Sequence, residues 1–162
     1  MLGQLLDRRY RIIQTLGVGG FGQTYIAEDT KLYNSKCVVK QLKPLATDPM
    51  TLKVARRLFD SEAQVLHQLG SHDQIPRLLA HFEENQEFYL VQELIEGHPL
   101  SDELTPGKRL SESYVISLLQ SNLTALAFVH QKKVIHRDIK PPNLMSAGVT
   151  RYSRIGLTGG EC

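Results

Sequence analysis

Between residues 10 and 42 the chain reads as strand, glycine turn, strand, strand, and the placement of the glycines decides which folds are open to it. Tyr10, Ile12 and Leu16 form a roughly period-two run before Gly17-x-Gly19-x-x-Gly22. Thr24, Tyr25 and Ile26 then resume with β-prone side chains, and Cys37-Val38-Val39-Lys40 makes a third short apolar run. A dinucleotide-binding unit places a helix directly after such glycines. A strand follows instead, so the pattern predicts a glycine-tipped hairpin. A turn of this kind lets backbone close over phosphates, and taken alone it reads equally well as an ordinary hairpin turn.

Beyond it, Asp48-Pro49 supplies a capping side chain and a first-turn proline. Leu52, Ala55, Phe59, Leu66 and Leu69 then recur at helical spacing, and Gly70 closes the helix. Glu62 falls inside that apolar stripe, where an ionised carboxylate needs a partner. Lys40 at the end of its strand is the natural one: an ion pair satisfies both charges and aims the ammonium at phosphates. Residues 78 to 83 and 87 to 94 predict a hairpin joined by Glu84, Asn85 and Gln86. Glu96-Gly97-His98-Pro99 breaks regular structure and marks a hinge. Ser111 can cap a helix running to about His130, with Val115, Leu119, Leu123, Leu126 and Val129 or His130 on one side.

The run His136-Arg137-Asp138-Ile139-Lys140-Pro141-Pro142-Asn143 brings an acid, a base and an amide close together. Phosphoryl transfer needs the triphosphate held, its charge neutralised and the accepting hydroxyl aligned. Asp138 can orient a hydroxyl and take its proton late, Lys140 can stabilise charge on the transferred group, and Asn143 offers a hard neutral oxygen to Mg2+. His136 reads as a core histidine, and Pro141 and Pro142 stiffen the loop. Nineteen basic against seventeen acidic residues give a net charge of +2 with no long basic stripe, so no nucleic-acid partner is expected. Two cysteines make neither a disulfide framework nor a metal cluster, and Cys37 reads as a small buried residue. With no signal peptide or membrane span in the pattern, the expected location is cytoplasmic.

These motifs together resemble the eukaryotic-type protein kinases, in particular a bacterial serine/threonine kinase of cyanobacterial type. The fold this implies is α+β: a complete N-terminal lobe of antiparallel sheet plus one large helix, and the start of a helical C-terminal lobe. By the resemblance, Leu16, Gly17, Val18, Gly19, Gly20, Phe21, Gly22, Gln23 and Thr24 are the nucleotide-binding loop. Val38 and Lys40 lie on the strand that meets the nucleotide, and Glu62 is the glutamate of the large helix. Gln92 falls at the gatekeeper position, with Glu93 to Ile95 at the hinge beside the adenine. Asp138 and Lys140 are the catalytic residues and Asn143 a metal ligand. The implied cofactors are ATP and Mg2+, and the implied partners are proteins with serine or threonine acceptors.

Family members follow the loop asparagine with a hairpin and then Asp-Phe-Gly, whose aspartate holds magnesium. The corresponding stretch reads Arg154-Ile155-Gly156-Leu157-Thr158-Gly159-Gly160, and no aspartate follows Asp138. The expected division is an N-lobe over 1–96, the start of a C-lobe over 97–145, and a divergent tail of poor order over 146–162. A domain cut short in this way predicts reduced or absent activity, and self-association through apolar helix surface left uncovered. The alternative is a non-catalytic nucleotide-binding or interaction module, or a truncated gene product.

Overall fold

The computed structural model describes residues 1–19, 22–44, 46–136, 139–147 and 152–155. They form two compact units. The first comprises residues 1–67 and 78–94, and the second 68–77 and 95–162. The α+β architecture follows the expectation. The change of unit after Leu94 falls close to the expected hinge, while Gln68–Arg77 groups with the second unit.

The first unit is an antiparallel sheet with one helix. Its strands are β1 (Leu5–Leu6), β2 (Tyr10–Gly19), β3 (Gly22–Asp29), β4 (Ser35–Leu42), β5 (Leu78–Glu84) and β6 (Glu87–Glu93). They pair in the order β1-β2-β3-β4-β6-β5. Strand alternation gives the sheet two faces. One face carries the apolar core of Leu6, Tyr10, Ile12, Tyr25, Ala27, Cys37, Val39, Tyr89 and Val91, backed by Ala80 and Phe82. The β5–β6 hairpin turns through Asn85 and Gln86, at φ 54° and 64°. Paired left-handed residues twist with the strands, the geometry a two-residue hairpin favours. In β2 the register slips between Ile12 and Gln14 and again between Thr15 and Gly17. Two such bulges bend and twist the strand that carries the glycine turn.

Helix α1 (Pro49–Leu69) starts where the sequence predicts. Asp48 Oδ1 accepts from the backbone N–H groups of Met50 and Thr51 at 3.1 and 3.0 Å. Loss of that cap costs about 1 kcal/mol. Gly70 follows at φ 64°, the left-handed conformation a helix end favours. The helix buries Phe59, Ala63, Leu66 and Leu69. Phe59 meets Phe88 at 5.0 Å and His81 at 5.8 Å between ring centroids, so α1 lies on the sheet face opposite the apolar core. Phe59→Ala would cost about 3 kcal/mol or more.

In the second unit, α2 (Glu112–Gln131) is capped by Ser111, whose hydroxyl accepts from Tyr114 N–H at 3.3 Å. The expected apolar side is divided between solvent and core. Val115, Leu119 and Leu123 are exposed, while Asn122, Ala125 and Val129 are buried. Leu100 and Leu144 pack with Ala125, Leu118 and Leu126, and Gln74 donates to Ser121 Oγ at 2.6 Å. These partners select the face. Apolar residues are spread around the helix among polar ones, so periodicity alone does not choose the covered face. Val115, Leu119 and Leu123 match the apolar surface expected to be left uncovered.

Strand β7 (His98–Pro99), where a break is expected, pairs with β8 (Leu144–Ala147), which pairs with β9 (Tyr152–Ile155). Within the stretch expected to be irregular, the residues of β8 and β9 beyond 145 are paired as strands. Backbone pairing with β8, and β9's place beside α2, supply the order that side-chain periodicity does not announce. The remaining tail residues lie outside the described ones. Among the described residues no helix is long and apolar enough to cross a membrane.

At the sheet's far end Arg9 forks onto Asp29, with Nε to Oδ1 at 2.8 Å and Nη2 to Oδ2 at 2.7 Å. Asp29 is buried and also accepts from Lys31 N–H. The guanidinium hydrogen bond is the chief reason its carboxyl titrates below the ordinary value. Asp29→Asn should cost about 2 kcal/mol at neutral pH. A carboxylate with a lowered folded-state pKa stabilises above its unfolded value and loses that contribution as pH falls through the folded one. The Tm gap between wild type and Asp29→Asn should therefore hold near neutrality and narrow below pH 3.8, measured by thermal melts across pH.

Candidate phosphate-handling site

The face of the sheet opposite the apolar core collects four of the predicted nucleotide residues, Thr24, Val38, Lys40 and Gln92. Register sets them in rows. Thr24 pairs with Lys40 and Lys40 with Leu90; one pleat along, Ile26 pairs with Val38 and Val38 with Gln92. Residues opposite one another on paired antiparallel strands project to the same side. Thr24, Val38, Lys40 and Gln92 thus share one face, the face on which α1 lies.

Glu62 on α1 is the opposing charge for Lys40. Burial pushes the Lys40 ammonium toward a lower pKa, and the Glu62 carboxylate resists that. Burial pushes Glu62 upward, and Lys40 resists in turn. Each charge partly offsets the burial of the other, and burial remains the larger effect on both. Phe59, three residues before Glu62, anchors the helix against Phe88 and so sets the carboxylate's place.

The glycines divide into two kinds. A Cβ on Gly22 would lie 1.8 Å from the backbone oxygen of Gln41, so β3 and β4 approach there more closely than any side chain allows. Among the described residues a Cβ on Gly17 meets nothing within 4 Å, and its φ is not left-handed. Neither conformation nor packing among the described residues therefore calls for glycine at 17. Space that the chain itself leaves open suits a ligand approaching backbone. Leu16 and Val18 beside it are 48% and 72% exposed, offering apolar surface to such a ligand. Val18 pairs with Gln23, and Gln23 with Gln41, on the face away from Lys40. Gly20 and Phe21 lie outside the described residues.

Gln92 is buried, and its Nε2 has no hydrogen-bond partner among the described residues. Glu93 ends β6 exposed, and Ile95 follows half-buried. The Cys37 thiol is buried and pushed up to about 11 by loss of water, which leaves it an inert packing residue.

In the second unit, His136 is buried, in keeping with a structural histidine. Asp138 lies outside the described residues. Lys140 is exposed and extended, at φ −154° and ψ 158°, before a 3₁₀ turn over Pro141–Asn143. The prolines open that turn, and Asn143 N–H donates to the Lys140 carbonyl at 2.9 Å. The turn leads directly into β8, so Asn143 is fixed at the base of a hairpin. Among the described residues no group of three His, Cys, Asp or Glu side chains could hold a metal ion. Asn143 would give a metal one amide oxygen, and a nucleotide's phosphates and water would have to provide the rest.

Comparison with known proteins gives these features a common setting. The protein kinase domain, as a family, matches residues 10–156. Serine/threonine-protein kinase PknA of Nostoc sp. is 49% identical over 144 residues, covering 88% of this chain and 26% of that protein. Serine/threonine-protein kinase B of Synechocystis sp. is 46% identical, covering 86% of this chain and 25% of its own length. The chain thus spans about a quarter of the length of these relatives. The kinase domain of PknI from Mycobacterium tuberculosis superposes with a TM-score of 0.76 at 19% identity, covering 98% of this chain and 62% of that one. The structure of PpkA-294 in its apo form gives 0.81 at 22%, covering 99% and 61%. At such identities the structural likeness speaks for the fold alone.

The two glycines should separate in a stability measurement. Gly22→Ala forces β3 from β4 and should cost about 2 kcal/mol or more in denaturant unfolding. Gly17→Ala points into open space and should change stability by less than about 0.5 kcal/mol.

Proposed function

Because the chain belongs to the protein kinase domain family, we propose that it works as an ATP-dependent serine/threonine protein kinase unit. It would transfer the γ-phosphoryl group of ATP to serine or threonine hydroxyls of proteins. The observation that carries this reading is the placement of Lys40 and Glu62 as opposing buried charges, on the sheet face whose strands lead to the glycine turn. A chain that needed only stability could fill that space with apolar side chains at no greater cost. An ammonium held in place by a carboxylate is suited to phosphate oxygens.

The fit to ATP rests on the open space at Gly17, the exposed apolar side chains of Leu16 and Val18, and the Lys40 ammonium. In this reading Thr24 and Val38 border the base, with Gln92 behind it and Glu93 to Ile95 along its edge. Asn143 would be the chain's ligand to Mg2+, which supplies charge neutralisation at the phosphates when bound. Asp138 accepts the hydrogen bond of the incoming hydroxyl, orients it, and receives its proton as the new oxygen–phosphorus bond forms. The bond from the γ-phosphorus to the bridging oxygen breaks, and ADP leaves with that electron pair. Lys140 offsets the negative charge on the transferred group.

One observation favours a second reading, a nucleotide-binding module without transfer activity: the stretch Arg154-Ile155-Gly156-Leu157-Thr158-Gly159-Gly160, where the resemblance calls for Asp-Phe-Gly, carries no carboxylate to join Asn143. Transfer from labelled ATP to a generic protein substrate separates the two. The kinase reading expects transfer that Asp138→Asn lowers by about 100-fold or more, with Mg-ATP binding retained. Binding without transfer in the wild type would favour the module. Lys40→Met, Glu62→Gln and Gly17→Ala should each weaken Mg-ATP binding by about tenfold in calorimetric titration. If none of the three does, the site is wrongly placed.

A further inference from the structure

The sheet face turned away from Lys40 carries a buried polar chain that phosphate handling leaves unused. Gln23 pairs with Gln41 and Gln41 with Tyr89, so the three stand in one cross-strand row. Tyr25 and Glu87 sit two residues along the same strands, on the same face. The Tyr25 hydroxyl donates to Gln41 Oε1 at 3.0 Å. Gln41 Nε2 donates to Glu87 Oε2 at 2.5 Å, and its second proton reaches toward the Tyr89 oxygen at 3.4 Å. Tyr89 donates to Glu87 Oε2 at 2.7 Å, and Lys43 Nζ lies 3.4 Å from Glu87 Oε1. At the opposite end the Tyr25 oxygen touches the Gln23 carboxamide. Tyr25 has one hydroxyl proton for two acceptors, Gln23 Oε1 and Gln41 Oε1, so it links both carboxamides.

Tyr25, Gln41 and Tyr89 are 1%, 2% and 2% exposed. A polar chain this deep stabilises only when complete, and an apolar side chain at 41 would bury as well without it. Its placement gives it a use. Gln41 directly follows Lys40, so the two side chains leave β4 on opposite faces. Gln23 directly follows Gly22, where the glycine turn rejoins the sheet. Gly22 is also the residue whose missing Cβ lets β3 close onto the Gln41 carbonyl. The network ties β3 to β4 and β6 at the level where one strand releases the turn and the next presents the ammonium.

We propose that Gln41 is a positioning residue. Acting through Tyr25 and Gln23 on one side and Glu87 on the other, it fixes the glycine turn relative to the Lys40 ammonium. This rests on the nucleotide-site reading above and adds a residue to it from the sheet's other face.

Gln41→Met keeps length and apolar contact but removes both donor and acceptor. Gln41→Glu sets a second carboxylate against Glu87, and the paired exchange Gln41→Glu with Glu87→Gln restores one carboxylate and one amide in reversed order. Two quantities are measured well below each variant's Tm: the Mg-ATP dissociation constant by calorimetry, and amide hydrogen exchange in nucleotide-free protein. The positioning role expects Gln41→Met to weaken Mg-ATP by about tenfold. It expects faster exchange from Gln23 to Tyr25 and at Gln41, relative to Ala27 and Glu28 farther along β3. Gln41→Glu should behave alike, and the paired exchange should recover most of both losses. A Gln41→Met protein with lowered Tm but unchanged affinity and exchange pattern overturns the proposal. Wild-type protein that fails to bind Mg-ATP defeats the nucleotide reading instead, and the exchange pattern then decides by itself whether Gln41 holds the turn.

Discussion

An ammonium on a covered sheet face loses the water that would stabilise it, and much of the first unit can be understood as the arrangement that makes Lys40 tolerable there. Burial lowers its proton affinity, and Glu62 provides the opposing charge. That carboxylate must arrive from a separate element at the right level. Helix α1 delivers it, started by the Asp48 cap and ended at Gly70. The Phe59 contact with Phe88 locks the helix onto the sheet. Removing either charge leaves the other buried without compensation, which costs more than the pair contributes to stability.

Strand β4 separates chemistry from packing by simple alternation. Cys37, Val39 and Gln41 turn to the core side, and Val38 and Lys40 to the side of α1. A register slip of one residue would exchange every one of these roles. The core cluster therefore does more than supply hydrophobic stabilisation: by fixing which side chains point inward, it also fixes where the ammonium points. The Arg9–Asp29 fork secures the far end of the same sheet, and the Gln41 network secures the end nearest the glycine turn.

Local signals were the most legible. The strands from Tyr10 to Leu42, the Asp48 and Ser111 caps and the hairpin through Asn85-Gln86 rest on propensity, capping and turn conformation. These depend on a few neighbouring residues. Strands β1 and β7, each two residues long, carry no periodicity of their own and exist through pairing with β2 and β8. The buried side of α2 was also hidden, because Val115, Leu119 and Leu123 are as apolar as the side that Leu100 and Leu144 cover. Gln41 gave no warning, since a glutamine next to a motif lysine looks like surface until its cross-strand partners are known. Gly22 was marked as a glycine of the turn, but its close approach to the Gln41 carbonyl appears only once β3 and β4 are paired.

The order of motifs along the chain was enough to set the family, the antiparallel first unit and the inward-facing carboxylate that needs a cation. Those properties follow from residue type and spacing, which a linear chain already contains. Which face of each strand and helix is covered, which glycine is required by packing, and how a glutamine joins two tyrosines and a glutamate were decided by tertiary structure. Each of these depends on distances between residues far apart in sequence, and only the paired sheet and the docked helix bring those residues within reach of one another.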